Sequence, residues 1–266
     1  VEPVLRTYLL SLISIDFINA KKEILDFFSK TFWAFQYGDM KEFEKIINRM
    51  LALLLDFEFI KRDGKSRFEA TRLGKRVATL YLDPVTADYL IQGLKRSDNI
   101  DVSEFSFLQL IARTPEIGYL PNLRKTDFME EVLAEYEDEL LDTEVFEDGF
   151  FQSVKAAIIF LSWIDELPER DILDRYATGP GQLHNMKTNA QWLLYSTREI
   201  SKLTSYGDPL FIEMVRRRVM YGVKRELLSL IRLKGIGRVR ARRLFRGGFK
   251  TTGSLKIADM EVLSKI

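Results

Sequence analysis

The chain has 266 residues, of which 46% are hydrophobic and 30% charged, a balance that excludes disordered and fibrous proteins. No apolar run approaches the length of a membrane span, and the absence of cysteine excludes disulfides, thiolate nucleophiles and cysteine-based zinc sites. We therefore expect a cytoplasmic protein of about two or three domains with no membrane partner. The start Val1-Glu2-Pro3 lacks an initiator methionine and a signal peptide, which suggests a piece of a longer polypeptide.

Charge is segregated along the chain, although the formal net charge is only +1. Residues 126–150 contain eleven acidic side chains and no Lys or Arg, whereas residues 216–250 contain thirteen Lys or Arg and one acid, Glu226. The basic segment predicts attraction to a polyanion such as nucleic acid, with a solvated helix face as the alternative. We interpret the acidic segment as a solvated helix.

The first predicted elements are three helices followed by a hairpin. A helix opens at Glu2-Pro3, where proline occupies the first turn, and apolar periodicity predicts further helices at about 19–37 and 40–55. The period changes to two around Arg62-Asp63-Gly64-Lys65, where an Asp-Gly pair predicts a hairpin. Three helices closed by a basic hairpin are typical of a winged-helix domain. Such a domain either binds DNA or serves as a packing module, and the sequence favours neither.

The second region is predicted to be a bundle of helices. A helix at about 74–82 ends at Asp83-Pro84, and nearly all of the chain from there to about residue 206 has helical periodicity. The expected core of this bundle consists of Leu108, Leu110, Ile111, Val132, Leu133, Phe151, Val154, Ala157, Ile158, Leu161, Trp163 and Ile164.

The third region is basic and ends in a glycine motif. A helix after Gly207-Asp208-Pro209 is predicted to carry Arg216, Arg217, Arg218, Lys224 and Arg225. It leads to Gly235-Ile236-Gly237 between two predicted helices, with Ala241 and Leu244 following. This pattern matches the helix-hairpin-helix DNA-binding motif.

The chemistry of this motif favours contact with DNA phosphates. Gly235 and Gly237 allow a sharp turn and a close approach of the backbone, Ile236 fills the joint, and amides at the start of the next helix point outward as anion donors. The arginines expected to bind phosphate are Arg238, Arg240, Arg242, Arg243 and Arg246. Backbone contacts of this kind carry no sequence information, so binding should not depend on base sequence. The alternative is an ordinary glycine turn between helices.

Several enzyme classes lack the residues that they need. The chain has no phosphate loop and no Asp-Glu pair in an acidic strand motif, so it cannot hydrolyse ATP by that route. The one histidine, His184, cannot build a zinc site without cysteine and is expected to be structural or a DNA contact, so we expect neither a metal nor a catalytic residue. Asp259 lies near the spacing of a helix-hairpin-helix glycosylase aspartate, but its neighbours predict the start of a helix.

A set of short motifs in order along the chain resembles an archaeal superfamily-two DNA helicase of the Hjm type, related to the helicase domain of polymerase theta. The resemblance is to the C-terminal half of that family. It is carried by Glu2-Pro3-Val4-Leu5-Arg6-Thr7, Thr71-Arg72-Leu73-Gly74-Lys75-Arg76-Val77-Ala78, Leu161-Ser162-Trp163-Ile164-Asp165-Glu166, Gly179-Pro180-Gly181, Ala190-Gln191-Trp192-Leu193 and Gly235-Ile236-Gly237-Arg238-Val239-Arg240-Ala241-Arg242.

The resemblance implies a mainly α fold of three domains: a winged helix at 1–82, a helical ratchet bundle at 83–206, and a basic helix with a helix-hairpin-helix domain at 207–266. It also implies a 3′ to 5′ helicase acting at stalled replication forks, whose ATPase lobes belong to the same polypeptide and hold ATP and Mg²⁺. Expected partners are single-stranded and forked DNA, and replication or recombination proteins.

The family's ratchet helix would correspond to about residues 183–202. Its base-stacking tryptophan matches Trp192, which could instead be a core residue. A basic side chain of the family falls two turns upstream, where this chain has Asn185 with His184 and Lys187 beside it, so this contact departs from the family pattern. These three side chains and Trp192 are the DNA contacts that the resemblance implies on this helix. Asn185 and Trp192 share a helix face because seven residues complete nearly two turns.

Two other functions remain open from the residues alone. One is a stand-alone binding module, such as a replication-fork adaptor or a nuclease subunit that uses the same hairpin. The other is a DNA repair enzyme with an unrecognised catalytic carboxylate.

Overall fold

A computed structural model describes residues 2–31, 40–63, 67–142, 144, 147–259 and 263. Over these residues the chain forms thirteen α-helices and one two-stranded sheet, which confirms the mainly helical class. It divides into two compact units, Val1–Gln92 with Glu199–Tyr206, and Gly93–Arg198 with Gly207–Ile266. The three predicted domains remain predictions. In the part of the chain that is described, no helix is long and apolar enough to cross a membrane.

The first unit contains helices at its start and a short hairpin. Its elements are α1 Glu2–Ser14, α2 Lys21–Ser29, α3 Met40–Asp56, β1 Ile60–Arg62, β2 Phe68–Ala70 and α4 Arg72–Thr79. The third predicted helix is confirmed to within a residue. The second, predicted at about 19–37, begins at Lys21 and ends at Ser29, where the Lys30 N–H caps the Phe27 and Phe28 carbonyls, so the prediction of one helix reaching residue 37 was wrong. Residues 32–39 lie outside the described part.

The predicted hairpin is confirmed in its pairing. β1 and β2 are antiparallel with Lys61 opposite Glu69, and their side chains form an ion pair of 3.1 Å. The first strand starts at Ile60, because Glu58 has a positive φ of 57° that interrupts an extended backbone. Gly64 and Lys65, the predicted turn, lie outside the described residues.

The core of the first unit forms where α1 packs on α4 and β2. Leu9 and Ile13 of α1, Phe43 and Ile47 of α3, and Phe59 before β1 are fully buried. The predicted break after α4 is confirmed, since the Asp83 carboxylate accepts the Val85 N–H at 2.9 Å at the start of α5 Pro84–Ser97. Arg6 of α1 donates to both oxygens of Asp83, at 2.5 Å and 2.6 Å, and so ties this cap to the first helix.

The second unit is helical throughout its described regular elements. These are α6 Glu104–Ala112, α7 Met129–Tyr136, α8 Phe150–Ile164, α9 Glu169–Tyr176, α10 Pro180–Thr204, α11 Pro209–Tyr221, α12 Arg238–Arg246 and α13 Thr252–Lys256. Helices α5 and α10 each run from one unit into the other.

The core of the second unit lies between α6 and α8, and every residue of α6 from Phe105 to Ala112 is buried. Half of the predicted core positions are buried, namely Leu108, Leu110, Ile111, Val154, Ala157 and Ile164. The other half are only partly buried: Val132, Leu133, Phe151, Ile158, Leu161 and Trp163. The prediction was too broad because helical periodicity identifies apolar positions and not how completely each one is covered in the fold.

Parts of the acidic segment are solvated as expected, and other parts are not. Glu130, Glu131 and Glu135 on α7 are exposed. The side chain of Asp127, by contrast, is 4% exposed and accepts a hydrogen bond of 2.7 Å from the ammonium of the buried Lys155. Burial alone raises the pKa of Asp127, but hydrogen bonds from Lys155 and from the Arg124 backbone hold it below its usual value.

Candidate nucleic-acid interface

The basic helix before the glycine motif is shorter than predicted. α11 ends at Tyr221 because Gly222 takes a positive φ of 62° and its N–H caps the Arg218 carbonyl, so Lys224 and Arg225 lie beyond the helix. Arg218 is buried and bonds to Glu104 and Asp165. Carboxylates thus neutralise part of the basic segment, and its outward charge is smaller than the sequence count suggests.

The segment that leads into the motif is also not an α-helix. It consists of two short 3₁₀ turns, Arg225–Leu227 and Leu230–Arg232. Leu227 at the end of the first turn and Leu230 at the start of the second are both buried in the same small core.

The motif itself is a tight glycine turn that opens directly into α12. Gly235 has a positive φ of 82°, and Gly237 precedes the first residue of the helix. Ile236 packs against the core formed by Val223, Leu227 and the fully buried Ala241, as predicted for the residue that fills the joint. A Cβ built on Gly237 would meet no atom within 4 Å, so the start of α12 is open to a ligand.

The structure separates the predicted DNA-binding arginines into two groups. Arg240, Arg243 and Arg246 are exposed. Arg240 also donates to the Gly235 carbonyl at 2.7 Å, which closes the turn. A groove of about 280 Å³ lies between Arg240 and Arg243 over the apolar side chains Ile236 and Leu244. These side chains form one surface of mixed apolar and cationic character.

Arg242 faces inward and is 19% exposed. It donates to both oxygens of Glu166, at 2.7 Å and 2.6 Å, and to Glu226 at 2.9 Å. Burial alone raises the pKa of Glu166, but the hydrogen bonds from Arg242 and from the Lys224 backbone N–H outweigh it and lower the pKa. The bonds to Glu166 raise the pKa of Arg242 in turn. The guanidinium is therefore held by carboxylates of its own chain.

Arg238 also faces inward, toward Trp163 near the end of α8. Its guanidinium lies 5.0 Å from the centre of the Trp163 ring and donates to the Leu167 carbonyl at 2.9 Å. The ammonium of Lys187 on α10 lies 3.9 Å from the same ring. Lys187 also bonds to Glu169 at 3.1 Å. Two of the predicted DNA-binding cations, Arg238 and Lys187, thus contact an indole of their own chain.

Trp163 is further fixed by α11. Its indole N–H donates to the Val219 carbonyl at 2.7 Å. A Cβ on Gly222 would lie 2.5 Å from the ring, so only glycine fits there. Apolar periodicity predicted Trp163 as a core residue and indicated no role for Glu166 or Gly222. The only signal for Glu166 was its place in a motif quoted for the family resemblance.

The predicted ratchet helix corresponds to α10, which begins at Pro180, three residues earlier than expected. The buried side of α10 carries Leu183, Met186, Ala190, Leu193, Leu194, Thr197 and Ile200. His184 and Asn185 are exposed, and Trp192 is half-buried. Asn185 and Trp192 therefore lie on one line along the helix, away from its buried side.

Among the described residues, no group of three or more His, Asp or Glu side chains is arranged to hold a metal ion. The predicted contact residues that are exposed are Arg240, Arg243, Arg246, His184 and Asn185, and Trp192 is half-buried. Such side chains bind phosphates and stack on bases.

Comparison with known proteins identifies the family. The family model for domain 4 of archaeal helicases matches residues 105–222. The chain is 33% identical over 276 residues to the ATP-dependent DNA helicase Hel308 of Methanocella arvoryzae, covering 100% of this chain and 37% of that protein. It is 37% identical over 250 residues to Hel308 of Methanocaldococcus jannaschii, covering 94% and 20%.

Hel308 of Pyrococcus horikoshii is 34% identical over 262 residues, covering 97% of this chain and 36% of that protein. The chain thus spans between about a fifth and two fifths of the length of the curated relatives that it matches. It belongs to the archaeal superfamily-two DNA helicases of the Hel308 type and represents a C-terminal part of such a protein.

Proposed function

We propose that this chain is the DNA-binding C-terminal region of an ATP-dependent 3′ to 5′ DNA helicase and that it grips the single strand that the motor translocates. The observation that carries the proposal is the exposed surface at the glycine turn, where Arg240 lies near the open start of α12 and Arg243 and Arg246 follow along the exposed side of the same helix. We call these three arginines with Gly235 and Gly237 the hairpin surface.

The hairpin surface suits a phosphate backbone. The first amides of α12 have no partner within the helix and lie at its positive end, where an anion is favoured. Gly237 leaves space for a phosphate oxygen to approach those amides. The exposed guanidiniums of Arg243 and Arg246 add charge on the same helix. This arrangement supports strand binding without base readout.

The line of Asn185 and Trp192 on α10 suits the bases of the strand. The half-buried indole of Trp192 is held by the helix and still offers part of its surface for stacking. The Asn185 amide can hydrogen-bond a base edge or a sugar. His184 lies exposed next to Asn185 and is the third candidate contact.

We further propose the domain order winged helix, ratchet bundle and helix-hairpin-helix for residues 1–82, 83–206 and 207–266. The paired strands β1 and β2 behind three helices support the first assignment. The match to archaeal helicase domain 4 at residues 105–222 supports the second. The turn at Gly235 and Gly237 supports the third.

In the whole protein, ATP hydrolysis belongs to lobes that this chain does not contain, since its sequence has no phosphate loop. Unwinding at stalled replication forks, together with contacts to replication or recombination proteins, is part of the proposal for that whole protein. The relatives are named ATP-dependent DNA helicases, which supports the motor assignment.

The test is binding of fluorescent oligo-dT to the chain with Arg243 and Arg246 both replaced by Ala. We expect a loss of affinity of about tenfold or more, since each removes a charge that faces the strand. The matched control is Arg170→Ala, which removes an arginine that is 90% exposed on α9 of the same unit. Equal affinities for the double variant and the wild type would refute the hairpin surface as a DNA site.

A further inference from the structure

The end of α8 is the point where three elements of the second unit meet. We call the side chains of Trp163 and Glu166, with the Leu167 carbonyl, the α8 joint. Glu166 holds Arg242 of α12 and accepts the Lys224 backbone N–H at 3.0 Å. The Leu167 carbonyl accepts a hydrogen bond from the Arg238 guanidinium of α12. The helix of the hairpin surface is therefore attached to α8 by two arginines on its inner side.

The same joint holds α10. The ammonium of Lys187 lies over the Trp163 ring, and Arg238 of α12 lies within about 5 Å of that ring. Trp163 is itself immobilised by its bond to Val219 and by contact with Gly222. One indole thus connects the helix that carries Asn185 and Trp192 to the helix that carries Arg243 and Arg246.

The inner and outer sides of α12 have different partners. Arg238 and Arg242, four residues apart, face α8, whereas Arg240, Arg243 and Arg246 face solvent. Similarly, Lys187 of α10 faces Trp163, whereas Asn185 is exposed. The basic residues used by the joint are therefore distinct from the side chains offered to a strand.

We propose that Trp163 and Glu166 are positioning residues, which fix the spacing between the hairpin surface and the Asn185–Trp192 line so that one single strand engages both at once. This proposal rests on the proposed function. Neither residue needs to touch DNA. Their effect is on effective concentration: a strand bound at one site is held near the second, and this gain is lost when the spacing is no longer fixed.

The prediction is a dependence on strand length that the joint controls. We expect oligo-dT of about 6 nucleotides, the short strand, to occupy one site and oligo-dT of about 20 nucleotides, the long strand, to reach both. The dissociation constant of the short strand divided by that of the long strand, measured in the 266-residue chain, shows how much one strand gains by bridging both sites. We expect Glu166→Gln, which keeps the shape and removes the charge, to lower this ratio by about tenfold through weaker binding of the long strand.

The matched control is Glu213→Gln. Glu213 is also a partly buried carboxylate of the second unit with bidentate bonds to an arginine, Arg216, and with an ion pair of 3.7 Å to Arg198 of α10, and neither arginine belongs to the α8 joint. Its ratio should equal that of the wild type. A longer strand offers more binding registers to every variant alike, so comparing ratios removes that statistical gain.

A second variant, Trp163→Leu, removes the ring shared by Lys187 and Arg238 and should act like Glu166→Gln.

The outcomes separate this inference from the proposed function. Unchanged binding of the short strand shows that a variant is folded, and a reduced ratio then supports the joint. An unchanged ratio in both variants, a ratio near one in the wild type, or equal losses for short and long strands would overturn it. If Arg243 and Arg246 prove dispensable for binding, the proposed function itself fails.

Discussion

The Glu166 carboxylate accepts two parallel hydrogen bonds from the Arg242 guanidinium, at 2.7 Å and 2.6 Å. Arg242 lies in the arginine-rich run that the sequence assigned as a whole to DNA. Its partner lies 76 residues earlier in the chain, at the end of α8. This bidentate pair means that at least one of the five arginines stabilises the fold.

Replacing Arg242 with Ala should therefore lower stability. The change leaves Glu166 partly buried without its main donor, and we expect a loss of about 1–3 kcal/mol in the free energy of unfolding. Arg243→Ala on the exposed side of the same helix should stay within about 0.5 kcal/mol of wild type. Urea unfolding followed by circular dichroism measures both, and equal stabilities would show that the ion pair contributes nothing.

Trp192→Ala should weaken binding of single-stranded DNA. A base stacked on an aromatic ring contributes about 1–3 kcal/mol, and a half-buried side chain costs less stability on removal than a core one. The neighbouring Leu193 is fully buried, so Leu193→Ala should lose about 2–5 kcal/mol of stability and little affinity once folded. Titration of oligo-dT and thermal melts distinguish the two. A Trp192 variant that melts like Leu193→Ala and binds normally would make Trp192 a core residue.

Salt should weaken DNA binding strongly. If about four to six phosphates are engaged on a single strand, the plot of log affinity against log salt has a slope of about −3 to −4. The affinity should also be similar for strands of different sequence, because the expected contacts are to the backbone. A flat salt response, or a strong preference for one sequence, contradicts this mode of binding.

Acidification should destabilise the second unit through Asp127. Its pKa is lower in the folded chain than in the unfolded chain, so its stabilising effect is present above the unfolded pKa and is lost as the pH falls through the folded one. Asp127→Asn should be less stable at pH 7 and lose less stability below about pH 5 than the wild type. Unfolding by urea at several pH values measures this, with the exposed Glu130→Gln as the control. Parallel pH curves for Asp127→Asn and wild type would rule out this linkage.

Gly222→Ala should displace Trp163. The new Cβ would lie 2.5 Å from the indole, and the backbone φ of +62° is unfavourable for alanine. Together these effects predict a loss of about 2–4 kcal/mol. Gly181→Ala is the control, since a Cβ there meets no atom within 4 Å. Tryptophan fluorescence should shift in the first variant alone, and an unshifted, fully stable Gly222→Ala would contradict the packing described for Trp163.

The sequence by itself determined the helical class, the hairpin pairing, the glycine turn and the family, because each depends on local signals. Apolar periodicity identifies a helix, an Asp-Gly pair identifies a tight turn, and Gly235 is required by a positive φ. Short motifs in order were enough to identify the helicase family. These features involve residues that are close together in the chain.

Only the tertiary structure decided which basic residues face solvent. The five arginines of α12 have the same side chain, so the sequence alone does not distinguish them. Arg242 bonds to Glu166 and Arg238 contacts Trp163 because the fold brings the end of α8 beside them. Periodicity could not reveal this, since it records that a side is buried and not which distant group covers it. The same reason explains Trp163, predicted as core and found half-buried between two cations.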